Sequence, residues 1–144
     1  MKILALTILF ILMFFRIKGT PNALSKTLWR KKMIKQLAKN KENNNGEPPS
    51  NAAQGTAIMI MLFMELFLII FYIVLGNKIG TTEFIVMSAL QVLTCIWSLS
   101  ISMSEIKTAF SYDIEDFKFH RFYTLFKLVL DYIYYPLAIY MLLK

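Results

Sequence analysis

Three ionisable side chains stand where lipid is expected: Glu65 inside the run MIMLFMELFLII, and Lys127 and Asp131 inside the last apolar run. A charged group at the centre of a bilayer costs about 2.5 to 3.5 kcal/mol on insertion scales, so it is expected to face a partner or a water-lined path. Helical phase puts Glu65 on one face with Tyr72 and Gly76, with Ile69 nearby, and puts Lys127, Asp131, Tyr134 and Ala138 on another. The spacing of four between Lys127 and Asp131 suits an ion pair within one helix, although lysine before acid is the weaker order. Because Glu65 and Asp131 fall at similar depths, a buried Glu65/Lys127/Asp131 network is expected. In it, either acid could alternate its protonation state if a hydrated path reached both surfaces.

Other reactive residues are scarce. Cys95 is the only cysteine and His120 the only histidine, so this chain by itself forms no internal disulfide and no Cys/His zinc site. In the loop SEIKTAFSYDIEDFKFHRFY, Asp113, Glu115, Asp116 and His120 offer oxygen and nitrogen ligands, but their spacing matches no metal motif. That loop is read as an interfacial connection anchored by Tyr112, Phe119, Phe122 and Tyr123. Phosphate-binding glycine loops, dinucleotide fingerprints, metalloprotease helices and serine nucleophile elbows are all missing. No catalytic residue, metal or cofactor is therefore expected, and the chain is read as non-catalytic.

The elements that must position these residues are long and apolar. The 144 residues are 57% hydrophobic and 17% charged, with a mean hydropathy of +0.54, which leaves little chain outside a membrane. Four runs extend over Ile3 to Phe15, Thr56 to Leu75, Phe84 to Met103 and Phe122 to Leu143. The last three are near the 20 residues a span needs. The first is short, and only Lys2 precedes it as a basic n-region. Arg16 to Thr20 offers no small-residue cleavage pattern, so a retained span is preferred over a signal peptide. The expected fold is an all-α integral membrane protein with four transmembrane helices and an amphipathic interfacial helix between the first and second. Its regions are 1–15 for the first span, 16–39 for a basic interfacial segment, 40–55 for a flexible linker and 56–144 for a three-helix membrane region.

Charge placement orients the spans. Nine basic residues lie between Arg16 and Lys41, and Lys107, Lys118 and Arg121 join them on one side; Lys2, Lys78 and Lys144 fall on the other. The positive-inside rule then puts both termini outside, where inside means a cytoplasm, matrix or stroma. The membrane is a bacterial plasma membrane or an organellar inner membrane, which these residues do not distinguish. In the basic segment, Thr20-Pro21 resembles a cap and first-turn pair, and Leu24, Leu28, Trp29, Met33 and Leu37 mark an apolar side. Trp29, Arg30, Lys31, Lys32 and Lys35 are the expected lipid-contact residues. The net charge of +7 is thus assigned to anionic lipid, because no nucleic-acid motif accompanies it.

In the third span Ser88, Gln91, Cys95, Ser98 and Ser102 share an arc of roughly 80°. Small, weakly polar side chains permit close helix contact, so this stripe is read as a packing face that avoids lipid. Pro136 can kink the last span and free a carbonyl. The function expected is that of a small subunit that assembles or stabilises a larger membrane complex, an enzyme or transporter among them, through intramembrane polar contacts with integral membrane partners in a hetero-oligomer. The alternative is a component of a proton, cation or small-solute pathway. An oligomeric pore is a further alternative: the chain resembles phage holins in size and charge, with no motif shared.

Overall fold

The computed structural model describes residues 2–43, 45–47, 49–111 and 118–144, which form five helices: α1 (Lys2–Leu24), α2 (Lys26–Asn43), α3 (Asn51–Ile79), α4 (Thr82–Ser111) and α5 (Arg121–Leu143). Helices α1, α3, α4 and α5 are long and apolar enough to cross a membrane, and the shorter, polar α2 lies between the first two of them. The 23 residues of α1 or α5 reach about 34 Å at 1.5 Å per residue, enough for a hydrocarbon core about 30 Å thick. The all-α, four-span architecture read from the sequence is the one observed.

The first helix does not stop at Phe15. It continues through Arg16, Thr20 and Pro21 to Leu24, so Thr20-Pro21 lies inside α1 instead of opening the next helix. Pro21 deprives only the Ile17 carbonyl of its helical donor, and the Thr20 hydroxyl bonds back to the Arg16 carbonyl at 2.8 Å, a local bond that a helical threonine makes readily. The break comes at Ser25. Its N–H donates to the Pro21 carbonyl, its own carbonyl accepts from Trp29, and its hydroxyl accepts from the Leu28 N–H at 3.4 Å. One residue therefore ends α1 and caps α2.

Helix α2 closes with Asn45 and Gly46 at positive φ, and the Gly46 N–H reaches the Lys41 carbonyl at 2.8 Å, a Schellman-type end. The connection to α3 is shorter than the 40–55 segment expected, since Asn40 to Asn43 belong to α2 and Asn51 to Gly55 to α3. Pro48 lies outside the described residues. Ser50 caps α3, its hydroxyl accepting from the Ala53 N–H at 3.3 Å.

Helices α3 and α4 fold back on each other through a tight turn at Gly80. Its φ of 71° lets it cap α3 with an N–H bond to the Gly76 carbonyl at 3.0 Å. One turn earlier the two backbones come very close, since a Cβ on Gly76 would sit 2.8 Å from both Cβ and Oγ of Ser88. Helix α1 packs mainly along α5, and α5 also meets α4. Leu9 of α1, Tyr72 and Leu75 of α3, Phe84 and Cys95 of α4, and Tyr134 and Ala138 of α5 build the core. The Tyr134 ring stacks on Phe84 at 4.9 Å and meets Tyr72 edge-on at 5.3 Å. Outward stand Phe10, Phe14, Phe63, Met64, Ile70, Ile133 and Tyr140, an apolar exterior suited to hydrocarbon.

The ends of the bundle differ in charge. Lys2, Lys78 and Lys144 line one cavity with Ile79, Met141 and Leu142, so the start of α1, the α3–α4 turn and the end of α5 share one end. The basic α2 belongs to the other, where the Trp29 ring lies 5.3 Å from Phe119, just before α5 begins.

Candidate functional site

The spans enclose a polar network centred on Asp131, which is 1% exposed. The regular phase of α1 brings it a cation. Ala5, Leu9, Arg16, Thr20 and Ala23 recur on the inward side of that helix, buried or half-buried, while Phe10, Phe14, Phe15 and Ile17 face out. Arg16 Nε donates to Asp131 Oδ2 at 2.5 Å, and Nη2 approaches the same oxygen as an ion-pair contact without hydrogen-bond alignment. Gln91 Nε2 of α4 donates to the other oxygen, Oδ1, at 2.8 Å. Both carboxylate oxygens are thereby satisfied from two other helices.

From Gln91 the network runs along α4. The Thr94 hydroxyl donates to the Gln91 carbonyl at 2.8 Å and accepts from Lys127 Nζ at 3.4 Å. The Tyr123 hydroxyl donates to the Thr94 carbonyl at 3.2 Å. A second acid joins further along α4, where the Ser98 hydroxyl donates to Glu65 Oε1 at 2.9 Å. Among the described residues Glu65 Oε2 is buried and has no hydrogen-bond partner. Cys95, buried, lies on the same face of α4, one turn before Ser98.

Toward the other end two hydroxyl pairs continue the pattern. Tyr72 and Tyr135 meet at 3.0 Å, and Ser88 and Tyr134 at 2.9 Å. At the rim, Thr20 and Tyr132 share a bond of 2.9 Å that reinforces the α1–α5 contact. Pro136 lies within α5, exposed, and its missing N–H leaves the Tyr132 carbonyl without its usual helical donor.

The three residues singled out in the sequence are thus near one another but differently partnered. Among the described residues no ion pair joins Lys127 to Glu65 or to Asp131, and the cation of Asp131 is Arg16. A guanidinium presents several donors in a fixed fork and is less tightly hydrated than an ammonium, which suits it to a buried carboxylate. Lys127 meets a neutral hydroxyl instead. Of the stripe on α4, Ser88, Gln91 and Cys95 are buried and Ser98 and Ser102 half-buried; Ser88, Gln91 and Ser98 each bond another helix. Arg16 reads in the sequence as a flanking charge and Tyr123 as an interfacial anchor, while Thr94 falls outside the arc of the α4 stripe. The phase of α1 was the available signal: Arg16 follows Ala5 and Leu9 at helical spacing.

Of the residues expected to touch lipid, Arg30, Lys31, Lys32 and Lys35 are exposed, whereas Trp29 is half-buried against Phe119. Asp113, Glu115 and Asp116 lie outside the described residues. Among the described residues no group of three or more His, Cys, Asp or Glu side chains could hold a metal ion.

Fold and network together define a small multi-pass helical membrane protein whose spans are joined by an interior ion pair and hydrogen bonds. Comparison with protein-family models, with curated proteins and with solved structures finds no match.

Proposed function

We propose that the chain is a non-catalytic subunit that docks as one preformed unit into a larger membrane complex. The observation that carries this reading is the position of Asp131 between Arg16 of α1 and Gln91 of α4. The charged pair links α1 to α5 and the Gln91 amide adds α4, so the carboxylate specifies which faces of three helices meet. With its acids engaged internally, the protein offers partners an apolar exterior, so docking rests on shape and lipid exclusion. Extraction in mild detergent followed by native mass spectrometry tests this: a reproducible heteromer of fixed stoichiometry is expected, and a lone monomer carrying only lipid would sink the proposal.

A second reading is favoured by one atom. Among the described residues Glu65 Oε2 is buried and accepts no hydrogen bond, while Oε1 accepts from Ser98, which is the arrangement of a group that could receive and release a proton or a small cation. In liposomes with an imposed proton gradient this reading expects flux that Glu65→Gln abolishes. Flux equal to that of empty liposomes rejects it.

A further inference from the structure

Helix α2 carries seven Lys or Arg residues and one acid, Glu42, among its 18 residues. Its sides are unlike. Trp29, Met33 and Leu37, spaced by four, are half-buried or buried, and Trp29 rests against Phe119. Next to them Lys26, Thr27, Arg30, Lys31 and Ile34 fall within an arc of roughly 140° at 100° per residue. All five are exposed and line a single surface groove. Lys26 and Arg30 are one turn apart, among the described residues no acidic side chain lines the groove, and like charges at that spacing repel within a helix. The arrangement becomes favourable when an anion sits between them.

Position and apolar surface identify the anion. Ser25 alone separates α2 from α1, so the groove begins within about one turn of the end of a membrane span, at headgroup depth. Ile34 in the groove, together with exposed Leu24 and Leu28 at the joint, supplies hydrocarbon contact that a free phosphate cannot use. We propose that this groove binds the phosphate of an anionic phospholipid from the leaflet on the α2 side. Lys26, Arg30 and Lys31 hold the phosphate, Thr27 adds a hydroxyl donor, and Ile34 meets the glycerol and upper acyl carbons. Lys32 and Lys35 lie on a different flank and attract the leaflet only generally, and Trp29 faces the protein.

The test uses the full chain in phosphatidylcholine nanodiscs titrated with phosphatidylglycerol, with bound lipid counted by native mass spectrometry. The variant Lys26→Gln/Arg30→Gln/Lys31→Gln is compared with Lys32→Gln/Lys35→Gln/Lys39→Gln, which removes equal charge from the other flank. A basic residue at an anionic leaflet contributes about fivefold in affinity, so the groove variant should lose on the order of a hundredfold and retain markedly less lipid than the control variant. Should the triple variant misfold by circular dichroism, Arg30→Gln alone should still lose about fivefold. Equal losses in both triple variants, or equal retention of the two lipids by the unaltered protein, would overturn the proposal. So would displacement by millimolar inorganic phosphate, which would mark a free-anion site, or tighter binding of an acidic peptide, which would mark a protein partner.

Discussion

Arg16 and Asp131, 115 positions apart in the chain, meet inside the bundle and join its first span to its last. Asp131 is buried and Arg16 nearly so, with side-chain exposures of 2% and 20%. Removing either member leaves the other charge without compensation. In soluble proteins this costs about 3 to 5 kcal/mol, more than the pair contributes over an apolar replacement. Arg16→Met should therefore destabilise the folded state strongly, whereas Arg16→Met with Asp131→Leu should recover much of the loss. Unfolding midpoints in bilayer-mimetic detergent check this, and a double variant no better than Arg16→Met alone would refute it.

Gln91 contacts the same carboxylate but is neutral. Its bond to Asp131 is of the interhelical kind that contributes about 0.6 to 2 kcal/mol in membranes. Gln91→Leu should thus be milder than Arg16→Met in the same assay. A reversed order would show that the amide, and not the guanidinium, holds Asp131 in place.

Gly76 permits the α3–α4 approach. A methyl there would collide with Ser88, which is itself held by Tyr134, so Gly76→Ala should force the helices apart at a cost of roughly 1 to 3 kcal/mol. Gly55 has no neighbour within 4 Å of the same point, so Gly55→Ala is the matched control and should be near neutral or slightly stabilising. Equal midpoint shifts for the two variants would deny the close contact.

The charge asymmetry makes a topological prediction. Cys95 is fully buried and should stay silent toward a membrane-impermeant maleimide, leaving introduced cysteines as reporters. Lys78→Cys is expected to label from outside, and Lys39→Cys only after permeabilisation. Labelling of both from one side would break the four-span arrangement.

Apolar run length and charge bias made the spans, their number and the intervening helix readable, because bilayer thickness imposes those features on any chain. The inward stripe of α4 was readable for a similar reason: a 3.6-residue period survives without knowledge of the partner. Which cation meets Asp131 was not readable. Lys127 shares a helix and a spacing of four with that acid, whereas Arg16 lies near the start of the chain beside residues that resemble a membrane flank. Only the packing of α1 on α5 decides between them. The end of α1 differs for a related cause, since Thr20-Pro21 is a valid local start signal, but Thr20 bonds back to Arg16 within α1 and across to Tyr132 of α5.

The order in which the ribosome delivers the helices gives the Arg16–Asp131 pair a temporal meaning. The α3–α4 hairpin can close as soon as both helices are made, because its contacts are local. Arg16 must wait in the membrane until α5 has emerged, since Asp131 belongs to that helix. A nascent chain ending before α5 should therefore be short-lived, and pulse-chase decay of a product truncated after residue 120 should exceed that of the chain through Lys144. The arrival of α5 is thus the step that gives the Arg16 charge its partner in the bundle.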